Sequence, residues 1–437
     1  MKSTRQHPLA FILWIFVCLL LLAPAALSLV PQWKGQPLYG VQESSEENAA
    51  FTGKNIFTGR FQKAADERVR RGVGISNAWI RFHHELNYRI FNYTSAEKLV
   101  LGSDGCFYEE MYITEYLGRN YIGDFFIEKK VRELKQLQQV LRDEYGVDLL
   151  LVFEPGKAHF HPEGIPERYH PEIKGKTNYE GFTAECRRAG VRYLDLNAYF
   201  SDLKAKSPHP LYSKYGVHWS TYGLWKATDT LVGFIEDQCC INLPDIIAVG
   251  DSSSRFNKDL DFDMEPSMNL LCGLPHETLN FPIRRFEYDG TCHVRPRVLT
   301  IADSYYWSIV NSGISDNLFA TNEFWYYNEA VYPDIWNPVV WADKSDLCST
   351  FRHHDIILLM ITDANLYNFG WGFIEEALAA VVPDWRPDPS VEALDCIMQT
   401  KEEGQHKWYL ELLKRATRMQ RPFSQVLRDE VEGIKRK

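Results

Sequence analysis

Apolar residues recur along the chain with the periods of helices and strands, and this pattern predicts the order of its elements. Between Phe125 and Tyr145, apolar side chains return every three or four residues, which is the spacing of one face of a helix. Gly146 ends this predicted helix, and the continuous apolar run 149–153 that follows predicts a buried strand. Further helices are predicted at 179–189, at 222–237 and from Tyr305, and further strands at 191–196, 298–302 and 356–361.

This alternation of helices with apolar strands predicts an α/β fold with a largely parallel sheet that is covered by helices on both faces. Before the alternation begins, residues 51–95 have helical spacing, and 102–105 predicts a hairpin turn between 99–101 and 106–108. Two further segments are expected: an acidic, irregular insertion at 250–295 and a pair of peripheral helices within 394–437. In an open α/β sheet, ligands bind at the carboxyl ends of the strands, so the chemistry is expected there.

The N-terminus carries the pattern of a single membrane anchor. Residues 9–30 hold no charged side chain and are long enough to cross a bilayer as a helix. Lys2 and Arg5 precede this run, which predicts an N-terminus inside and the rest of the chain on the periplasmic side of the cell membrane. The alternative is cleavage near 23–25, which would yield a secreted protein. We therefore predict a signal anchor at 1–31, a linker at 32–50 and one domain at 51–437.

The composition narrows the choice of partners and cofactors. With 48 Lys and Arg against 58 Asp and Glu, the net charge is −10, which argues against a nucleic-acid partner because phosphate binding needs a basic surface. The 12 Trp and 23 Tyr suit either a packed core or a surface that stacks on sugar rings. The cysteines form no C-x-x-C pair, and the H-x-H pair His159 and His161 lacks a third ligand at regular spacing. Neither a metal nor another cofactor is therefore predicted.

A candidate nucleophile lies where the predicted strand 298–302 ends. Asp303 and Ser304 follow that strand and precede a helix, so the serine lies at a helix N-terminus whose free N–H groups can hold an oxyanion. The alternative is that both residues cap the helix. Ser252 stands in a second Gly-Asp-Ser string, but the Asp-rich sequence after it cannot form an apolar helix. Ser304 is therefore the favoured catalytic serine, together with Asp303.

A serine nucleophile needs a base, and His218 is the candidate because it lies in a loop directly before the helix 222–237. The alternative is a helix-entry histidine that bonds to the backbone. Asn365 follows the strand 356–361 and is the candidate donor to an oxyanion, although Asn also caps turns. Aromatic and polar residues near these strand ends form the candidate substrate-binding set, with core packing as the alternative: Tyr305, Trp325, Tyr326, Asn328 and Trp371.

Taken in order, these segments resemble the SGNH-hydrolase-like acetyltransferases of the alginate O-acetyltransferase type, a family of bacterial envelopes. The hairpin segment is similar to the family's G-x-D-G-W-L-F turn, and the end of the strand 149–153 leads into a segment similar to its P-x-K-A motif. The histidine segment is similar to D-x-H-W-x-x-x-G, and the serine segment to G-D-S-F. The matching segments are 51–53, 57–62, 101–107, 153–158 together with 161–163, 216–223 and 302–305. His218 precedes Ser304 in sequence, as the permuted topology of this family implies.

The resemblance implies an extracytoplasmic O-acetyltransferase that modifies a cell-envelope or exported polysaccharide through a serine nucleophile and a histidine base. It also implies a membrane-bound acetyl-donor protein as a partner, beside the polysaccharide acceptor. A carbohydrate acetylesterase is one alternative, because it shares the first half of the reaction. A catalytically impaired polysaccharide-binding protein of the same fold is the second alternative.

One position departs from the pattern of the family. The triad acid is expected two residues before His218, where this chain has Gly216. A missing acid can cost about four orders of magnitude in rate, because the acid fixes the tautomer of the histidine. Glu154 and Asp195, both at predicted strand ends, are the candidate orienting acids. A dyad of Ser304 and His218, with the ring oriented by a backbone carbonyl, is the other alternative.

Overall fold

The computed structural model of the chain describes residues 11–19, 22, 37–40, 50–72, 76–255, 261–333, 340–342, 345–398 and 407–435. The chain divides into two compact units. The smaller unit comprises Met1–Glu97 and Met264–Pro275, and the larger unit comprises Lys98–Asp263 and His276–Lys437. The single domain predicted at 51–437 therefore spans parts of both units.

The smaller unit is helical in most of its described part. Its helices are α1 Gly53–Phe57, α2 Arg60–Gly72 and α3 Ser76–Phe91, with a short 3-10 turn at Glu265–Met268. Arg81 of α3 donates a hydrogen bond to the carbonyl oxygen of Leu270, 3.2 Å away. This bond ties α3 to the second segment of the same unit. The helical spacing of 51–95 is thus realised as three helices.

The predicted membrane segment is described only in part. Of residues 9–30, residues 11–19 are helical, and the others apart from residue 22 lie outside the described residues. The predicted linker 32–50 also lies outside them, apart from 37–40 and 50. Among the helices that the structure describes, none is both long enough and apolar enough to span a membrane.

In its described residues, the larger unit contains a mixed sheet and two antiparallel two-stranded ladders. The strands of this unit are β1 Leu99–Leu101, β2 Phe107–Glu109, β3 Asp148–Glu154, β4 Tyr193–Asp195, β5 Asp245–Ser254, β6 Leu279–Glu287, β7 Arg297–Ala302, β8 Thr321–Tyr326, β9 Ala330–Tyr332, β10 Val340–Trp341 and β11 Ile356–Thr362. In the described part of this unit, seven of them form one sheet in the order β10-β9-β8-β7-β11-β3-β4. The strands from β8 to β4 pair in parallel, and β9 and β10 add an antiparallel edge. The predicted α/β fold with a largely parallel sheet is confirmed.

Helices cover this sheet because its central strands are apolar on both sides. β3 and β11 are buried along almost their whole length. Val131 and Leu134 lie in the same hydrophobic cluster as Leu149 and Leu151 of β3. The helices of the unit are α4 Glu110–Tyr116, α5 Asp124–Val140, α6 Lys157–Phe160, α7 Asn178–Ala189, α8 Leu196–Leu203, α9 Thr221–Cys239, α10 Tyr306–Asn311, α11 Ile314–Leu318, α12 Leu347–His353, α13 Phe373–Val381, α14 Pro389–Met398, α15 Lys407–Met419 and α16 Phe423–Lys435.

Periodicity places the central elements within a few residues of their observed ends. The helix predicted at 125–145 is found as α5, which continues into a π-helical turn at Leu141–Tyr145. Gly146 ends it with φ at 68°, a left-handed conformation that glycine adopts without strain. The predicted hairpin is also found, with Leu101 paired to Phe107. The strand predicted at 191–196 is found in the shorter form of β4.

The segment 250–295 is more regular than its sequence indicates. β5 and β6 form an antiparallel ladder that includes residues 250–254 and 279–287 of this segment, so the prediction of an irregular insertion is wrong there. β6 packs on α9, where the ring of Phe286 lies 6.0 Å from that of Trp225. β5 is largely exposed, so its sequence lacks the apolar alternation by which periodicity detects a half-buried strand.

A buried ion pair joins α5 to α13, and its contribution to stability can be tested. Nζ of Lys130 lies 2.7 Å from Oε1 of Glu375, and the two side chains are 1% and 10% exposed. Removing the ammonium of Lys130 leaves the carboxylate of Glu375 buried without this opposite charge. We expect Lys130→Met to lower the free energy of unfolding by about 3–5 kcal/mol, measured by urea denaturation. Adding Glu375→Leu should recover most of that loss. A single variant as stable as the wild type would contradict this expectation.

Candidate active site

The loop that carries His218 is closed at its base like a short hairpin. Tyr212 and Trp219 form an antiparallel bridge that brings the two ends of the loop together. Ser220 then caps α9, because its Oγ accepts a hydrogen bond from an N–H of the first helical turn over 3.0 Å. We call residues 212–219 the histidine loop. Its end is fixed at the entry of α9, directly after His218.

Ser304 lies in the turn between β7 and α10, at the carboxyl edge of the sheet. Two hydrogen bonds join this turn and its helix to the histidine loop. The hydroxyl of Tyr305 donates to the carbonyl oxygen of Val217 over 2.9 Å, and Nε1 of Trp219 donates to Oγ of Ser308 over 2.7 Å. These bonds hold together two segments that are distant in the sequence.

The side chains of Ser304 and His218 are in hydrogen-bond contact, with 2.8 Å between Oγ and Nε2. The ring of Tyr305 packs against the imidazole, with 4.7 Å between the ring centroids. In this arrangement the serine hydroxyl can donate to Nε2. That is the direction in which a general base removes the proton of a nucleophile.

The other nitrogen of the imidazole faces a carboxylate that sequence analysis missed. Nδ1 of His218 is hydrogen-bonded to Oδ2 of Asp263, whose Oδ1 accepts from the N–H of Val217 over 2.9 Å. The neighbouring Asp261 accepts from the first N–H of α9 over 2.7 Å, which ties the same segment to the helix entry. Ser304, His218 and Asp263 thus form one hydrogen-bonded line of serine, histidine and aspartate.

Gly216 leaves free the space that this carboxylate occupies. A Cβ atom at position 216 would lie 2.7 Å from Oδ1 of Asp263 and 2.6 Å from the carbonyl oxygen of Asp261. These separations are shorter than the contacts that Cβ atoms make in folded proteins. A residue without a side chain at 216 is therefore a condition for Asp263 to reach His218. The place of the expected acid is taken by an aspartate from another segment.

Charge pairing outweighs burial in this line of residues. Burial alone would lower the pKa of His218. The charge and hydrogen bond of Asp263 raise it by more than burial lowers it, so the pKa lies above its usual value. Burial raises the pKa of Asp263, yet the charge and hydrogen bond of His218 bring it below its usual value. The pair favours a charged imidazole beside an ionised carboxylate. That state forms when the histidine takes a proton from Ser304.

The carboxylate of Asp303 is buried and ties the ends of two neighbouring strands together. It accepts from the N–H of Tyr305 over 3.1 Å, and from the N–H and Oγ1 of Thr362 over 2.9 and 2.7 Å. Nδ2 of Asn365 donates the fourth bond over 2.8 Å. Since Thr362 ends β11, these bonds fix the serine turn against the neighbouring strand. The described hydrogen bonds of Asp303, which is predicted as catalytic, reach neither Oγ of Ser304 nor the ring of His218.

The predicted oxyanion role of Asn365 does not fit its contacts. Its Nδ2 lies 2.8 Å from Oδ2 of Asp303 and 3.0 Å from Oγ1 of Thr362. A side-chain amide has two N–H donors, so both are already used. The backbone N–H of Ser304, by contrast, has no hydrogen-bond acceptor among the described residues. This N–H is therefore a donor available to an oxyanion.

The two predicted orienting acids have other partners. Asp195 caps α8 through the N–H of Ala198, 2.9 Å away, and accepts a hydrogen bond from the hydroxyl of Tyr179. Glu154 is buried, and burial together with the charge of Asp303 raises its pKa well above the usual value. Both predictions are wrong because β3 and β4 lie on the far side of β11 from the serine strand β7.

Most of the predicted substrate-binding residues belong to the core. Tyr305 and Trp325 have no exposed surface, and Asn328 and Trp371 are less than a tenth exposed. The stacking role predicted for Trp325 is therefore wrong, since a side chain without exposed surface cannot contact a sugar ring. Tyr326 is half-buried at the end of β8, and it keeps surface that a ligand can contact.

A serine hydroxyl on a histidine that an aspartate holds, at the carboxyl edge of an α/β sheet, is the arrangement that serine-dependent hydrolases and acyltransferases use. Residues 99–260 match the family model described as the SGNH hydrolase-like domain of the acetyltransferase AlgX. The predicted resemblance to the SGNH-hydrolase-like acetyltransferases is therefore confirmed over this region of the chain. The matched region includes His218 and ends before Asp263 and Ser304.

Several solved structures are similar to this chain. The O-acetyltransferase domain of Pseudomonas putida AlgJ is 16% identical, with 68% of this chain and 98% of that chain covered and a TM-score of 0.42. Pseudomonas aeruginosa AlgX is 17% identical, with 63% and 66% covered and a TM-score of 0.39. Bacillus cereus PatB1 is 13% identical, with 62% and 99% covered and a TM-score of 0.41. The comparison with curated proteins gives no match.

The sequence carries a weak signal for the missed acid. Asp261 and Asp263 flank the apolar Phe262, an alternation that in a longer run would predict a half-buried extended segment, although in the structure Asp261 and Phe262 are both buried. Three alternating residues are too few to distinguish such a segment from an acidic loop. The stronger signal is Gly216 itself, because a glycine where a carboxylate is expected leaves room for one from elsewhere.

Asp263 should be required for the serine to react. Asn at this position can donate to Nδ1 of His218, which places the ring proton on Nε2 and removes the acceptor for the serine hydroxyl. We expect Asp263→Asn to lower kcat by about 10⁴-fold in the release of nitrophenol from nitrophenyl acetate. The matched control is Asp195→Asn, which keeps the cap of α8 and should leave kcat unchanged. A loss of kcat that occurs in Asp195→Asn and not in Asp263→Asn would overturn the assignment of Asp263 as the acid that orients His218.

Gly216→Ala should impair the site without a change to any polar group. The added Cβ displaces either the carboxylate of Asp263 or the backbone around it, and a misplacement of about 1 Å can cost about 100-fold in rate. We expect a fall of that size in kcat. Gly233→Ala in α9 meets open space and is the control. It should keep full activity and gain about 1 kcal/mol of stability. Equal activity of both variants would argue against the steric role of position 216.

Proposed function

We propose that this protein is an extracytoplasmic O-acetyltransferase that acts on a cell-envelope or exported polysaccharide, with Ser304 as nucleophile and His218 as base. One observation carries the proposal: Oγ of Ser304, both ring nitrogens of His218 and the carboxylate of Asp263 are hydrogen-bonded in one line. The family match of residues 99–260 supports acetyl transfer as the chemistry.

In the first half-reaction, Oγ of Ser304 attacks the carbonyl carbon of an acetyl ester while Nε2 of His218 takes the hydroxyl proton. The oxygen of the tetrahedral intermediate becomes negative, and the backbone N–H of Ser304 is the donor that we assign to it. The intermediate then loses the donor alcohol, which leaves with the proton from His218. An acetyl group remains on the serine. Asp263 stabilises the charged imidazole between these two proton transfers.

In the second half-reaction, a sugar hydroxyl attacks the acetyl carbon and gives its proton to Nε2 of His218. The serine oxygen leaves and takes that proton back, which restores the enzyme. Water in place of the sugar would make the protein an acetylesterase. Tyr326 is the aromatic side chain that we assign to the sugar, because it pairs with Ala302, two residues before Ser304, and is half-buried.

The location that we propose rests on the N-terminal sequence. Lys2 and Arg5 precede the uncharged run 9–30, as in a chain whose bulk lies outside the cytoplasm. Apolar side chains on the helical residues 11–19 are exposed, as a lipid-facing helix requires: Phe11, Ile12, Leu13, Trp14 and Phe16. A membrane-bound protein that donates the acetyl group is the partner that fits such an anchored acceptor enzyme.

Replacement of the nucleophile tests the proposed chemistry. Ser304→Ala in the full chain should reduce nitrophenol release from nitrophenyl acetate by about 10⁶-fold, which is effectively to background. Ser252→Ala, in the exposed strand β5, is the matched control and should retain the wild-type rate. Equal rates in wild type and Ser304→Ala would end the proposal. If addition of a polysaccharide yields acetylated sugar, the protein is a transferase, whereas release of acetate alone would identify an acetylesterase.

A further inference from the structure

Lys157 is a buried lysine that takes no part in the line of Ser304, His218 and Asp263. It follows the carboxyl end of β3 as the first residue of α6, and its side chain has no exposed surface. Burial of an ammonium group is costly unless hydrogen bonds or an opposite charge compensate it. The groups that compensate this charge therefore indicate what the lysine does.

The ammonium of Lys157 donates to three backbone carbonyl groups of the histidine loop. Nζ lies 2.7 Å from the carbonyl oxygen of Ser213, 3.1 Å from that of Lys214 and 2.6 Å from that of Gly216. The ring of Tyr108 faces the same ammonium, with 5.8 Å between Nζ and the ring centroid. We call Lys157 and these three carbonyl groups the lysine latch.

We propose that Lys157 is a positioning residue, which holds the histidine loop in the shape that lets Asp263 meet His218. The latch holds Gly216 by its carbonyl group, and the carboxylate of Asp263 occupies the space where a side chain at 216 would stand. The next N–H in the chain, that of Val217, donates to Asp263. The loop is thus held from two sides at adjacent residues, by a cation and by the acid that orients the base.

The latch needs the protonated form of Lys157. An ammonium has three N–H groups and no lone pair, and it can satisfy three carbonyl oxygens. A neutral amine has two N–H groups, and its lone pair would face the third oxygen. Burial lowers the pKa of Lys157 to about 8. The latch is therefore complete below about pH 8 and is lost as the pH rises through that value.

Groups from several elements face this ammonium. Three carboxylates favour its charged form: Asp104 in the β1–β2 hairpin, Asp263, and Glu277 in the segment before β6. The charge of Lys157 is also felt by His161, beside α6, whose pKa burial lowers. Burial raises the pKa of Cys106 to about 12 and that of Tyr108 higher still, so both are uncharged near pH 8.

The effect of pH on the latch is opposite in sign to its effect on folding. The unfolded chain keeps the ordinary lysine pKa of 10.5, whereas the folded chain releases the proton at about 8. Between these values the unfolded state binds more protons, so the contribution of Lys157 to the free energy of unfolding rises with pH. A loss of activity above pH 8 through the latch is therefore distinguishable from alkaline unfolding.

The kinetic test rests on the proposed function and uses the full chain with nitrophenyl acetate. The wild type should lose kcat as the pH rises through about 8, with KM unchanged and no loss of stability. Lys157→Met removes all three donors, and we expect kcat at neutral pH to fall about 100-fold with this alkaline limb absent. Lys157→Gln keeps two N–H donors, and its kcat should lie between that of the wild type and that of Lys157→Met.

A second readout needs no catalysis. The proton shared by Nδ1 of His218 and Asp263 gives a strongly shifted proton resonance in NMR spectra. In the wild type this resonance should weaken as the pH rises through about 8, and in Lys157→Met it should be displaced or absent at neutral pH. If Ser304 proves unreactive, the proposed function fails, but this resonance still reports whether the latch positions the histidine.

The control is Lys130→Met, which also removes a buried ammonium but lies in α5. It should lower stability while keeping the wild-type kcat, pH profile and resonance. A folded Lys157→Met variant with wild-type kcat, pH profile and resonance would overturn the proposal. If Lys157→Met does not fold, the wild-type resonance decides: loss through pH 8 supports the latch, and an unchanged resonance overturns it.

Discussion

The hydrogen bonds that converge on the carboxylate of Asp303 are the interaction on which the site depends. Asp303 follows β7, and Thr362 ends the neighbouring β11. Because Thr362 donates two hydrogen bonds to the carboxylate of Asp303, the turn that carries Ser304 is held against the end of β11. Any shift of the serine turn would leave a buried acceptor unpaired, at a cost of about 1–3 kcal/mol per bond. The histidine loop contacts this turn and its helix through the hydrogen bonds of Tyr305 and Trp219. The position of His218 therefore depends on the position of the serine turn, which the pairing of the strands sets.

The sequence predicts the features that depend on local patterns and misses those that depend on tertiary contacts. Helix α5 and strand β3 have strong periods, and Ser304 and His218 lie beside predicted elements, so all four can be found from the chain alone. Asp263 lies 45 positions from His218 in an acidic segment without a long period, and its role exists only where the two segments meet. Exposure is similarly a tertiary property, which is why the aromatic run 324–327 suggests a binding surface although the side chains of Phe324 and Trp325 lie in the core.

Carboxylates near the site differ in protonation because their partners differ, although all of them are buried to some degree. Glu154 and Asp363 have pKa values well above the usual range, since burial and neighbouring acids both disfavour their charge. Asp263 has a pKa below its usual range because His218 compensates its charge. Asp263 therefore favours its charged form beside the imidazole, whereas Glu154 and Asp363 favour their neutral forms.

The position of Gly216 has a consequence for how proteins of this kind are recognised and how they change. In the family's pattern the acid and the base belong to one short motif, so they are inherited together and are read together by a pattern search. In this chain His218 and Asp263 lie in different segments, and the carboxylate of Asp263 occupies the space that the absent side chain of Gly216 leaves. The sequences of the two segments can then change independently, provided that position 216 remains glycine. A search that demands a carboxylate two residues before the histidine would class such a chain as inactive, whereas a comparison of side-chain positions in space would retain it.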